Sequence, residues 1–298
     1  MTARYATSNR LDVLRANLSK RDLAILDTLR QYRLASSQQL ERWYFTSHAT
    51  PVAAARAARR SLRRLADFGL ISHLHRRIGG VRAGSAGLVW HLTRAGWKLL
   101  AAATAVTPPA RLDLAEPSLR QADHTLAITE VAVRLHETAD AGRCELIELT
   151  PEPACWRRYF GPWGANLILK PDLSATTAQP GSNFETIWFL EIDRASESLA
   201  TIACKVRQYE AYRQSGREQA AQGVFPRVAW IVPDQTRADR IQSALANHQP
   251  TPADGHIAVT LDQFIQLVCG DTPTTPSHRG PPPRHSPPHL TSQINQSH

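Results

Sequence analysis

The sequence predicts an α/β protein whose C-terminal part is built on a mixed central sheet and whose N-terminal part is a helical, basic unit with one hairpin. Three observations carry this expectation. Between residues 119 and 268, stretches with helical apolar spacing alternate with short apolar runs of strand length. Between residues 19 and 103, three amphipathic stretches precede two short apolar runs joined by a glycine-rich tip. The charge is also lopsided: residues 1–110 hold 18 Lys and Arg against 5 Asp and Glu, although the whole chain has 35 against 26. A length of 298 residues is enough for two domains with separate cores.

A net charge of +9 points to a polyanionic partner. Cysteines 144, 155, 204 and 269 lack C-x-x-C spacing, so neither a structural zinc nor a disulfide framework is expected. The N-terminal residues lack the apolar core of a signal peptide, and no run reaches membrane-spanning length. The expected location is therefore the cytoplasm, with no membrane partner.

Residues 1–18 are polar and read as a short arm. Ser19, followed three residues later by Asp22, marks a helix start, and Leu23, Leu26 and Leu29 continue it at helical spacing. A second short helix fits Ser37 to Tyr44, with Leu40, Trp43 and Tyr44 as core candidates. Thr50-Pro51 opens a third, a cap followed by proline at the first helical position, which runs to Phe68 and stops at Gly69. At 100° per residue this helix puts Ala58, Ser61, Leu62, Leu65 and Phe68 on one side. Arg56, Arg59, Arg60, Arg63 and Arg64 occupy the other. Leu70–Ile78 and Leu88–Leu92 read as strands flanking GGVRAGSAG, and Thr93 caps a last helix with Trp97, Leu99 and Leu100.

Three helices and a hairpin resemble a winged helix-turn-helix. The resemblance implies a third helix that enters a major groove and a hairpin whose Arg76, Arg77 and Arg82 touch the backbone of double-stranded DNA. Five arginines on one helix face with almost no acidic partner repel one another, which favours phosphate contact over the bland alternative of a solvated helix face. The first domain is thus expected over residues 1–103, followed by a proline-rich linker over 104–118.

From Leu119 to about Glu137, apolar residues at helical spacing predict a helix carrying His124, which reads as a packing histidine, and Glu130, a surface carboxylate or an extra acid for the site described next. Strands are expected at Cys144–Leu149, in LILKPDLSA (167–175) and in IWFLEIDRASES (187–198). A helix follows at about 197–214, then a strand at Arg227–Val232, a helix at 235–247, a strand at Ile257–Leu261 and a terminal helix at 262–268. This domain spans residues 119–270, and the Pro-, Ser-, Thr- and His-rich residues 271–298 are expected to be disordered. Between the first two strands, PACWRRYFGPWGAN is aromatic and basic, suited to lie against DNA, to fold over the site, or to pack under a loop.

Two of these strands end in acids: Asp172 on one, Glu191 and Asp193 on the other. Because side chains alternate along a strand, Glu191 and Asp193 project to one side, as do Lys170 and Asp172. Carboxylates gathered at neutral pH need a compensating cation, and Asp and Glu oxygens with water suit Mg²⁺ or Mn²⁺. The bland alternative is that Asp172 ends a strand while Glu191 and Asp193 pair with Arg194 or Arg207. Pro171-Asp172 followed by Glu191-Ile192-Asp193 resembles the PD-(D/E)xK nuclease superfamily, with Asp193 where that pattern has Lys. Lys170 or Lys205 is placed to supply the missing charge, and helix spacing sets Lys205 with Gln208, Tyr209 and Tyr212.

The full plan, with L-K-P-D, L-E-I-D-R-A-S-E-S and a following K-x-x-x-Y, is similar to the replication-relaxation family of plasmids and mobile elements over residues 19–268. The resemblance implies DNA handling, with other replication or transfer proteins as partners. Two function classes follow. In one, a metal-dependent endonuclease or nickase uses Asp172 and Glu191 to hold Mg²⁺ or Mn²⁺, Asp193 to orient water and Lys205 or Lys170 to steady phosphate charge. In the other, the same fold is a non-cleaving accessory factor for replication or relaxation. No P-loop, catalytic triad order or zinc spacing offers a third class.

Overall fold

A computed structural model describes residues 13–74, 87–102, 117–161, 164–246 and 255–271. The N-terminal part opens with α1 (Lys20–Tyr32), started by a reciprocal capping box between Ser19 and Asp22. A two-residue strand β1 (Ala35–Ser36) leads into α2 (Ser37–Tyr44), and α3 (Pro51–Asp67) begins at Thr50, whose side chain accepts from the Ala53 N–H. The strands β2 (Ile71–His73) and β3 (Val89–Leu92) pair antiparallel, and β1 adds to the other edge of β3, giving the order β1-β3-β2. Helix α4 (Arg94–Ala101) follows the Thr93 cap.

These boundaries track the expected ones closely, because each helix start carries its own hydrogen-bonding cap. The strand β1 was not anticipated; two residues are too few to show a period. Ile25, Leu26, Leu29, Leu40, Leu62 and Leu65 fill the core between the helices. The expected hairpin tip lies outside the described residues, and so do Arg76, Arg77 and Arg82. Most of the expected linker and of the tail falls outside them as well.

The C-terminal part is an α/β layer structure. Helix α5 (Leu119–Asp140) precedes β4 (Glu145–Pro151), a two-stranded ribbon of β5 (Arg157–Phe160) and β6 (Asn166–Leu169), then β7 (Leu173–Ala178) and β8 (Glu185–Ile192). After them come α6 (Leu199–Gln214), α7 (Arg217–Gln222), β9 (Arg227–Val232), α8 (Gln235–Ala246), β10 (His256–Thr260) and α9 (Leu261–Cys269). The central sheet has the order β10-β9-β8-β7-β4. The pairs β10/β9 and β9/β8 are parallel and β8/β7 and β7/β4 antiparallel, so the sheet is mixed as expected.

One expectation is corrected. LILKPDLSA is not a single strand ending at Asp172: Leu167–Leu169 belongs to the ribbon, pairing with β5, and β7 starts only at Leu173. Pro171 is the cause, since it has no N–H for a ladder and the chain changes sheets there. Lys170 and Asp172 therefore do not share a strand face.

Alternation along β8 sets the two cores. Trp188, Leu190 and Ile192 face α5 and α9, whereas Phe189 faces α6 and α8 with Val228 and Trp230. Glu191, two residues on from Phe189, faces the second layer.

The N-terminal part is fastened to α5. Tyr32 lies in the core formed with α5, and Trp43 packs on His136 with ring centroids 4.6 Å apart. The Arg42 guanidinium forks onto Glu137 at 2.7 and 2.6 Å and reaches Glu130 at 2.6 Å, while Gln39 donates to Glu130 and to the Leu126 carbonyl. Glu130 thus serves this contact and does not extend the acid cluster. Among the described residues, no helix is long and apolar enough to cross a membrane.

Candidate functional site

The site forms where the chain re-enters the central sheet. Past Pro171, the Asp172 N–H donates to the Leu190 carbonyl at 3.1 Å, and the Asp172 carbonyl accepts from Glu152 N–H. Leu173 pairs with Leu190, so one step further the antiparallel register brings Asp172 alongside Glu191. The Asp172 Oδ2 accepts the Ile192 N–H at 2.7 Å, and His124 Nε2, on α5, lies 3.2 Å from Oδ1. Glu191 is 2 % exposed; its Oε2 accepts from Lys205 Nζ at 2.8 Å and its Oε1 from the Tyr209 hydroxyl at 2.6 Å. Lys205 also meets Glu197 at 3.1 Å. The acid pair is buried beneath a cover of Lys205 and His124, both partly open to solvent.

The electrostatics follow from that burial. Loss of hydration, then the charge of Asp172, pushes the Glu191 carboxyl up, while Lys205 and the Tyr209 hydroxyl hold it back. Burial works against the Lys205 charge, but Glu191, Asp172 and Glu197 outweigh it and raise the ammonium above its ordinary value. The hydrogen bond to Asp172 raises His124 despite its partial burial.

Asp193 projects from the same side of β8 as Glu191, as alternation requires, yet it takes a separate partner. Its Oδ2 accepts from Arg237 Nε at 2.5 Å, and Arg237 Nη2 donates to the Glu197 carbonyl at 2.7 Å. Asp193 Oδ1 and Glu197 Oε2 are buried without a hydrogen-bond partner. The turn between them holds Ala195 at φ 57, a left-handed conformation uncommon for a residue with a Cβ. That turn folds Glu197 back onto Lys205. The partner of Asp193 is therefore neither Arg194 nor Arg207 but an arginine 44 residues downstream.

Of the two candidate lysines, only Lys205 meets the acid pair. Lys170 lies over the Trp156 ring, 4.8 Å from its centroid. Among the described residues, no group of three or more His, Cys, Asp or Glu is placed to hold a metal ion, so Asp172, Glu191 and Asp193 do not form one three-acid centre. What the donor set fits is narrower: Asp172 and Glu191 supply two hard carboxylates side by side, and a divalent cation would offset both the burial and the like charge that push Glu191 up.

His124, Tyr209 and Arg237 complete the site. Tyr209 was detectable four residues after Lys205 on the same helix face. His124 and Arg237 carried no sequence signal beyond their residue type, since their partners are 48 and 44 residues away.

On α3, Arg56, Arg59, Arg60, Arg63 and Arg64 are all exposed, opposite the buried Ala58, Leu62 and Leu65. Arg64 is drawn aside: it pairs with the buried Asp22 at 2.5 Å, and Ser61 donates to the same carboxylate at 2.9 Å. Burial opposes the Asp22 charge, but bonds from Ser19, Ser61 and Arg64 together hold its carboxyl below the usual range. Arg56, Arg60 and Arg63 have no acidic partner among the described residues.

In comparisons with known proteins, the model of the family described as Replication-relaxation matches residues 26–228. No curated protein matches the chain.

Proposed function

The chain belongs to the replication-relaxation family, and from that membership and the site geometry we infer a DNA-binding protein of plasmid or mobile-element replication or transfer that cuts DNA with a divalent metal. In this reading residues 1–103 act as a winged helix-turn-helix on double-stranded DNA, and residues 119–270 as a PD-(D/E)xK-like unit. The observation that carries it is the meeting of Lys205, from the helix after β8, with Glu191 beside Asp172. A lysine from that helix supplies the charge that the Glu-x-Asp of β8 lacks.

Asp172 and Glu191 would hold Mg²⁺ or Mn²⁺, which when bound supplies an activated water and neutralises phosphodiester charge. Lys205, partly open to solvent at the site, is positioned to steady negative charge developing on the phosphate. Tyr209 and the Ile192 N–H orient the two carboxylates, and the bonds of Arg237 to Asp193 and the Glu197 carbonyl keep the turn in place above Lys205. The exposed arginines Arg56, Arg59, Arg60 and Arg63 offer phosphate contacts on duplex.

A second reading, a non-cleaving accessory factor, is favoured by one observation. All four oxygens of Asp172 and Glu191 already have hydrogen-bond partners within the protein, which is how a purely structural network is built. Supercoiled plasmid incubated with the protein and Mg²⁺ or Mn²⁺ separates the two. Open circles that form with metal and not with a chelator support the nuclease; unchanged plasmid with retained DNA binding supports the accessory factor.

A further inference from the structure

Along β5 one face of the ribbon turns into the protein and one to solvent, while on β6 Leu167, opposite the buried Tyr159, is exposed as well. Arg157 and Tyr159 point inward: Arg157 pairs with Glu218 at 3.1 Å, and Tyr159 packs edge-on against Tyr212. By alternation, Arg158 and Phe160 point outward, and both are exposed, Phe160 by 62 %. Residues opposite each other in an antiparallel pair share a face, and Arg158 pairs with Ile168 and Phe160 with Asn166. Lys170, the residue just past β6, follows on the same side, its ammonium held over the Trp156 ring. The outer face thus presents an exposed phenyl ring, a half-buried isoleucine, an asparagine and two cations, with no acid among these residues. Its second strand runs straight into Pro171-Asp172 at the buried acid pair.

We propose that this outer face is a binding platform for an unpaired DNA strand, with Phe160 stacking on a base and Arg158 and Lys170 on flanking phosphates, delivering the strand toward Asp172. Two physical points favour a single strand over duplex. A ring standing out of a flat ribbon needs an accessible base face, and in duplex those faces are already stacked within the helix. The cations sit beside the ring on one short ribbon: Arg158 lies two residues from Phe160, about 7 Å along the strand. That spacing suits a chain of alternating bases and phosphates. Lys170 is two residues from Asp172, again within about 7 Å of chain, so a strand held here ends near the carboxylates. The choice of DNA rests on the function proposed above; the platform itself does not require cleavage.

The test uses the full chain and a fluorescently labelled oligothymidylate of about 16 nucleotides, with a labelled duplex of equal length alongside. Phe160→Ala removes an exposed ring and leaves the core untouched; it is expected to weaken oligothymidylate binding about tenfold while duplex affinity stays the same. Arg158→Ala with Lys170→Ala is expected to reduce the salt slope for the single strand by about 1.4, two phosphates at about 0.7 each. Unchanged oligothymidylate affinity in Phe160→Ala overturns the platform, as does an equal loss on single strand and duplex. Tighter binding of oligouridylate than of oligothymidylate overturns the assignment to DNA. Plasmid nicking by wild type is scored separately: binding without nicking keeps the platform and removes the nuclease, and nicking with no effect of Phe160→Ala does the reverse.

Discussion

At the level of single side chains, Asp172 has two effects that oppose each other. Its Oδ2 satisfies the buried Ile192 N–H, and its charge adds to the burial that already raises the neighbouring Glu191. Asp172→Asn keeps an oxygen for that N–H and removes the repulsion, so thermal unfolding should give an unchanged or higher melting temperature. Asp172→Ala strands the N–H and should cost about 2 kcal/mol. The two lysines divide in the same way. Lys205→Ala removes the cation that meets Glu191 and should lower plasmid nicking at least a hundredfold. Lys170→Ala, whose ammonium lies over Trp156, should leave nicking within a few-fold of wild type when substrate is saturating.

At the level of elements, α3 separates two jobs that one stripe of arginines had seemed to share. Arg56, Arg60 and Arg63 are exposed, and replacing all three with Ala should flatten the salt dependence of duplex binding by about 2.7, at about 0.9 for each phosphate contact, with no loss of stability. Arg64→Ala instead leaves the buried Asp22 short of a partner and should show as destabilisation in denaturant. The helical wheel could assign Arg64 to the polar side but could not show that Asp22, 42 residues earlier, bends it away. Helix starts were legible because caps are local, as at Ser19 and Thr50. The split at Pro171 was legible in principle, since a proline argues against an unbroken central strand.

Burial depresses the His256 imidazole to about 4, only weakly opposed by Glu210. A folded-state value below the ordinary 6.5 means that its contribution to stability is complete above pH 6.5 and is lost as the pH falls from 6.5 toward 4. Chemical denaturation at pH 7 and pH 4.5 should differ by about 2 to 3 kcal/mol from this residue, and His256→Phe should remove that part of the difference.

For the whole molecule, the contact between α2 and α5 decides whether the arginine-bearing helices and the acid pair move as one body. Arg42 bridges Glu130 and Glu137, and Arg42→Ala should lower the unfolding free energy by about 2 kcal/mol. Arg134→Ala is the control, because its partner Asp262 is open to solvent and exposed pairs contribute less than about 1 kcal/mol. The α/β class with a mixed central sheet was readable from periodicity, whereas β1, the β5/β6 ribbon and α7 were too short to show a period; the nearness of Asp172 to Glu191 was expected from two acid-ended strands, but Asp172 precedes β7 instead of ending a strand. Contacts made across the molecule were not: His124 on Asp172, Arg237 on Asp193 and Arg42 on Glu130 each join residues more than 40 positions apart, and such pairings depend on the folded path of the chain.

The central claim is that Asp172, Glu191 and Lys205 form a metal-dependent DNA-cutting site. The most direct measurement is the rate of open-circle formation from supercoiled plasmid in Mg²⁺ or Mn²⁺ by wild type and by Glu191→Gln, each shown to be folded and to bind duplex equally well. Wild type is expected to nick, to stop with a chelator, and to lose at least a hundredfold in rate on Glu191→Gln. Equal nicking by both proteins, or none by wild type at saturating metal, would contradict that claim.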